Sequence, residues 1–504
     1  MTICLIALLY ANKKSKFKLK SNGYTRFGWC IYMNFKRKLW WAQHKNEVYK
    51  YGIILSLVLI VTISIIYFTY SKFSSRNEAT MYETTVEPFI KNDYFIASYI
   101  DGEWSNEIPG KDDGYVVDKI VCDNGATGTW DNDEWGINIR NATKKIKCGV
   151  YFKPNVAKQI VELAASDTTN FALDDPDKNI RYFGSNPNNY VFFNCSDYSN
   201  QSDSTCEKWR IIGVFNNITK ADGTKENLVK IIRMDSIGSF AWDYKENGVG
   251  TSTSNHEDKG SNDWSDSQLM MMLNPTDYLK SGYTIDNNIV KDSKGQAIYQ
   301  NMGSYYNGTS GCKPAATASG ADFTCTSIDF TSTGLKNDLT RNAIESVVWN
   351  LGGTASYNSA SNGLASHWYG YERGTTVYSG HATTWTGKIG LMYPSDYGYA
   401  TSGGSTTDRT SCLATMLYYG GWNKSSDCYS NDYLYKSSYY QWTLVPLSSY
   451  AYYVFFVYAS GFVNSGTARD DLNSVRPVAF LKSNISITDV GLGTAESPFQ
   501  LKVG

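Results

Sequence analysis

The sequence predicts a single transmembrane helix followed by a small extracellular all-β sandwich module and a large extracellular α+β domain. Three observations predict it. An uncharged apolar run, residues 51–71, stands between Lys50 and Lys72. Beyond it the chain turns polar and aromatic, with 39 Tyr and only 19% charged residues in 504, which suits a β-rich surface protein better than a cytosolic helical enzyme. Eight of the ten cysteines follow the run and fall as neighbouring couples. A chain of this length exceeds one ordinary core. Its net charge of −1 offers no field for nucleic acid, which is excluded as a partner.

Taken in order, residues 1–50 are a basic cytoplasmic N-terminus, with eleven Lys and Arg against the single acid Glu47. Met33 opens a compact basic segment, "MNFKRKLWWAQHKNEVYK", so residues 1–32 are read as a start-site artefact. At ~1.5 Å per residue the run 51–71 spans about 31 Å, one crossing. The charge asymmetry puts the N-terminus inside and everything after it outside, in the cell membrane as a single-pass protein. Residues 72–92 form a polar stalk. In 93–153, the small module, "TGTW" and "WGINIR" flank the turn "DNDE" as a hairpin. Residues 154–180 are a helical connector, because Pro154 stands near its first turn and Val156, Ile160, Val161 and Leu163 follow at helical spacing.

Residues 181–504 are the large domain. "NYVFFNC" and "KWRIIGVFNNI" read as strands, and 264–274 and 335–353 as helices, the second ended by Gly352–Gly353. Ser/Thr/Gly/Asn loops at 244–263, 303–322, 354–366 and 401–411 are long enough to carry function. The couples Cys122 with Cys148, Cys195 with Cys206, Cys312 with Cys325, and Cys412 with Cys428 bracket such segments and read as local disulfides. Closing loops this short stabilises by about 3 kcal/mol each, although the connectivity stays open on sequence grounds. Metal-ligand spacings are missing, so neither metal nor cofactor is expected.

Several blocks carry a resemblance: "KIIRMDSIGSFAWD", "NDWSDSQLMMMLN", "VVWNLGG", "TTWTGKIGLMYPSDYGYATSGG", "QWTL" and "SVRPVAFLKSNISIT". They resemble an uncharacterised family of membrane-anchored bacterial surface proteins, from Gram-positive and wall-less species, whose C-terminal domain carries a Trp-x-Leu…Val-Arg-Pro signature. More distantly they resemble the formylglycine-generating-enzyme and C-type-lectin-like folds. The resemblance implies a lectin-like form for the large domain; "WTLVP" lacks the Arg of the common signature.

Candidate sites are aromatic. "YAYYVFFVYASGFVN" reads as a hairpin turned by Ser460–Gly461, either buried on both faces or presenting Tyr450, Tyr452, Tyr453 and Tyr458 as a platform. "SHWYGYERGTTVYSGHATTW" reads as an aromatic hairpin, with Trp368, Tyr369 and Trp385 for stacking on sugar. There His367, Glu372 and His381 offer acid–base chemistry if they converge; no catalytic residue is nominated. The expected function is therefore non-enzymatic adhesion or ligand recognition at a cell surface, with a host or bacterial glycan or protein as partner. The alternatives are an extracellular enzyme of the formylglycine-generating or carbohydrate-active type, a structural envelope protein, and a diversified variable binding protein.

Overall fold

Apolar runs past residue 93 are of strand length and pack against one another. A computed structural model of the chain describes residues 94–142, 145–243, 260–274, 334–469 and 473–503, with the backbone of five further short strands between 284 and 329. These belong to one compact unit, Lys91–Gly504. The architecture is mostly β, with few and short helices; the longest described, Val156–Ser166, has 11 residues.

This corrects the expected fold class and location. Among the described residues no helix is long and apolar enough to cross a membrane. The single transmembrane helix, the membrane as partner and the single-pass cell-membrane location are therefore not supported. Segment 51–71 itself lies outside the described residues, as do 1–50 and 72–92. A mostly β chain also replaces the expected large α+β, C-type-lectin-like domain. The physical reason lies in the β-branched and aromatic runs, which pair as ladders buried on both faces instead of wrapping as helices.

The main sheet shows this directly. Its order is Ile344–Glu345, Val478–Leu481, Lys225–Arg233, Glu207–Thr219, Ile180–Tyr182 and Phe171–Ala172. Tyr190–Phe193 also pairs with Glu207–Thr219, and Ile389–Gly390 with Val478–Leu481. Trp209 to Phe215 is buried without a break, as a strand covered on both faces must be. Gly213 sits at a register shift where a Cβ would stand 2.0 Å from the Ile180 carbonyl oxygen, so only glycine lets these backbones approach. A second sheet runs Ser239–Phe240, Asn473–Ser474, Gln441–Pro446, Tyr453–Val457, Val463–Thr467. The core holds Trp209, Trp242, Trp349, Trp368, Trp422 and Trp442, all buried.

In the N-terminal part, the four-stranded order is Glu103–Ser105, Tyr94–Ile100, Ile146–Pro154, Tyr115–Cys122, with the hairpin Thr127–Asp131 and Gly136–Arg140 beside it. Ile146, Cys148, Val150 and Phe152 alternate inward, which sets the register. Cys122 and Cys148 stand opposite each other and are bridged. Asp131 accepts from the backbone N–H groups of Asp133 and Glu134 to close the expected turn. Asn155 caps Val156–Ser166 by accepting from the Lys158 N–H at 2.9 Å. Its buried face is Val156, Ala157 and Ile160, while Val161 and Leu163, read as part of that face, are exposed. Gln159 exchanges two bonds with the Ile487 backbone, at 3.1 and 2.7 Å, and Lys502 pairs with Asp118 at 2.9 Å.

Two local expectations are corrected. Residues 335–353 hold a helix only over Asp338–Ala343; Val347–Asn350 is a strand whose buried Val347 and Trp349 alternate with half-buried Val348 and Asn350. Gly352 and Gly353 are points of close backbone approach, each with a carbonyl oxygen where a Cβ would go, and not a helix cap. The "SHWYGYERG" stretch is a helix, Ala365–Glu372, and not a hairpin. Cys195–Cys206 and Cys412–Cys428 are bridged as expected; Cys325 lies outside the described residues.

Candidate functional site

Tyr453–Val457 pairs on one side with Gln441–Pro446 and on the other with Val463–Thr467, so it is an interior strand. Phe455 packs 4.7 Å from the Trp368 ring, and Phe456 packs 5.6 Å from Trp442. Both faces of the strand are therefore covered. Tyr452 is buried, Tyr453 and Tyr458 are half-buried, and Tyr450 alone of the four is open, at 47% exposure. The turn at Ser460–Gly461 is present, with Gly461 in the left-handed region at φ 84°.

That turn folds Tyr458 onto Phe462, with ring centres 4.5 Å apart and planes only 10° apart. Tyr440 lies 4.4 Å from Tyr458, and Tyr419 lies 5.5 Å from Phe462. The result is a row of four rings in the order Tyr440, Tyr458, Phe462, Tyr419. The middle pair is stacked and holds the row, while its ends are open: Tyr440 is 42% and Tyr419 59% exposed. Neither end residue stood out in the sequence, because both lie in polar loops whose nearness to the turn is a tertiary fact.

The second aromatic group divides. Ala365, Trp368, Tyr369 and Glu372 are the buried residues of their helix, a spacing of i, i+3, i+4, i+7 that its aromatic richness disguised. Trp368 and Trp385 are core walls, the latter edge-on to Trp264 at 6.1 Å. Tyr369 differs: its hydroxyl donates to Asp177 at 2.6 Å and accepts from the Asn179 amide at 2.8 Å. His367, Glu372 and His381 stand in different surroundings. His367 Nδ1 accepts the Leu364 N–H and closes the helix start, while buried His381 packs on Tyr378. Glu372 is fully buried and accepts from the Ser395 N–H at 2.8 Å and the Ser395 hydroxyl at 2.5 Å. Burial pushes its carboxyl up to about 7, against the pull of Arg373.

Below Tyr369 lies a buried ionic chain. Arg181 pairs with Asp175 at 2.6 Å and Asp396 at 3.1 Å, and Lys230 bonds the other oxygen of Asp396. All four are buried. Burial drives the Asp396 carboxyl up, but Lys230 and Arg181 outweigh it and hold it below its ordinary range. Burial also lowers Lys230, against the pull of Asp396. The signals for this chain were a lone Lys in the apolar run "LVKIIR" and an Asp in the wholly buried "YPSDYGY". Arg476 donates to the backbone of Arg233 and Leu434 and to the Gln441 side chain.

Among the described residues no group of three or more metal-ligating side chains comes together. No protein-family model, curated protein or solved structure matches the chain.

Proposed function

We propose that this chain is a recognition protein that binds a surface glycan through the row Tyr440–Tyr458–Phe462–Tyr419. The observation that carries the reading is a stacked pair holding two exposed tyrosines in fixed positions. Sugar rings present C–H faces to aromatic rings and hydroxyls to polar neighbours, and a tyrosine serves both at low entropic cost. The three described disulfides fit an oxidising setting, where loop-rich surface proteins work.

The test is a glycan array probed with the full chain and with Tyr419→Ala and Tyr440→Ala. Each substitution removes an exposed ring and leaves the stacked pair in place. Array hits lost by about tenfold or more in each variant support the reading, the usual size of a lost anchor. Hits unchanged in both variants, or no hits with the parent chain, refute it.

A further inference from the structure

A cleft of about 390 Å³ opens where the outer end of Glu207–Thr219 meets the helix Ala365–Glu372, lined among others by Asp177, Asn179, Thr219, Asn350, Tyr369 and Arg373. Its size falls at the small end of ligand sites, which run from about 300 to 1,000 Å³. We propose that this cleft binds a single sugar ring, a neutral polyol of monosaccharide size.

The chemistry of the lining selects that class. Arg373 lies over Tyr369, its guanidinium carbon 3.3 Å from the ring centre. Its Nη1 donates to the Tyr369 carbonyl and to Glu372, both at 3.3 Å, and its Nε stands 3.8 Å from Asp177. No protein bond to Nη2 is formed among the described residues, on a side chain that lines the cleft and is 26% exposed. Asn350 is pinned through its backbone, which donates to the Tyr393 hydroxyl at 3.1 Å and accepts from it at 2.9 Å. No protein bond to its side-chain amide is formed among the described residues. Acceptors on Asp177 and Asn350 thus stand beside donors on Arg373 and Asn350.

A ligand that only accepts, such as phosphate, meets the Asp177 carboxylate. One that only donates, such as an ammonium ion, meets Arg373. Hydroxyl groups do both, and adjacent ones satisfy a carboxylate and a guanidinium together. Asp177 and Arg373 stand at ion-pair distance, 3.8 Å, and the exposed Lys225 of the same lining adds a further donor, which the hydroxyl oxygens of a polyol also satisfy.

The wall is built beforehand. Asn179 accepts from the Asn216 N–H at 2.7 Å and donates to Tyr369 and to buried Asp175, both at 2.8 Å. Arg181, fixed by its two carboxylates, backs the lining rings, 4.6 Å from the Phe215 centre and 5.7 Å from that of Tyr369. Such support keeps the donors and acceptors aimed without a ligand present.

The test uses the full chain and saturation-transfer NMR with methyl glycosides of glucose, galactose and N-acetylglucosamine, and with glycine and inorganic phosphate as contrasting probes. A dissociation constant on the order of millimolar is expected for one or more of the glycosides, as their few heavy atoms allow. Asn350→Ala, which removes an amide that bonds no other described residue, and Arg373→Lys, which keeps the charge but loses the fork, should each weaken binding about tenfold. Both cleft variants are also made in a chain that already carries Tyr419→Ala and Tyr440→Ala, where the further weakening reads the cleft apart from the aromatic row. Binding of glycine or phosphate in place of every glycoside overturns the proposal, as does glycoside binding that neither cleft variant weakens.

Discussion

Replacing Glu372 by Gln tests the account of the buried polar interior. The carboxyl is fully buried, and burial raises it from 4.5 to about 7. Between those values the folded chain holds a proton that the unfolded chain has released, so this group makes stability fall as pH rises through that window. The window spans about 2.5 in pH, at about 1.36 kcal/mol for each, or about 3 kcal/mol altogether. Gln keeps the shape, accepts the Ser395 N–H with its oxygen and donates to the Ser395 hydroxyl, and carries no charge to bury; it gives up the Arg373 Nη1 bond, so the change of the gap with pH, not its absolute size, is the readout. Denaturant unfolding of both chains, disulfides intact, at several pH values from 4.5 to 8 reads out the difference at constant slope. The variant should gain on the parent by about 3 kcal/mol across the series. A gap that stays constant with pH would show that Glu372 ionises freely and that burial does not govern it.

Three further outcomes follow from the packing. Asp396→Asn removes the carboxylate that Lys230 bonds and one of the two that Arg181 pairs with, and should cost about 3–5 kcal/mol, read from the denaturant midpoint. Replacing Cys412 and Cys428 together by Ser opens a loop of sequence separation 16 and should cost about 3 kcal/mol, with a parent that loses the same amount on reduction of that bond alone. Gly213→Ala places a methyl against the Ile180 carbonyl and should cost about 1–3 kcal/mol, whereas Gly370→Ala, with nothing within 4 Å of its added Cβ, should not destabilise by thermal melt.

What the sequence showed and what it hid divide by distance along the chain. The hairpins at 127–140 and 453–467, the helix Val156–Ser166 and the described disulfides each join residues close in sequence, so spacing and turn chemistry pointed to them, although only the structure fixes the disulfide connectivity. The run "ESVVWN" was misread as helix because the preceding helical turn hid its period of two, and only burial of Val347 and Trp349 shows which face mattered. The aromatic helix Ala365–Glu372 was misread the other way, since Trp and Tyr suit strands by propensity while their spacing here is helical. Of the candidate rings, Tyr458 belongs to the row and Tyr369 to the cleft; Tyr440 directly precedes the strand that pairs with Tyr453–Val457, whereas Asp177, 192 positions from Tyr369, reaches it only through the tertiary fold. Nothing local announces such meetings.

One consequence concerns the order in which the molecule is made. Val478–Leu481 lies inside the main sheet, hydrogen-bonded to Lys225–Arg233 on one side and to Ile344–Glu345 on the other. As the ribosome delivers the chain, the Lys225–Arg233 ladder must wait with an open flank while nearly half the protein is still unmade. An unmet ladder is a template for any passing strand. The sheet closes only when its late strand slots in.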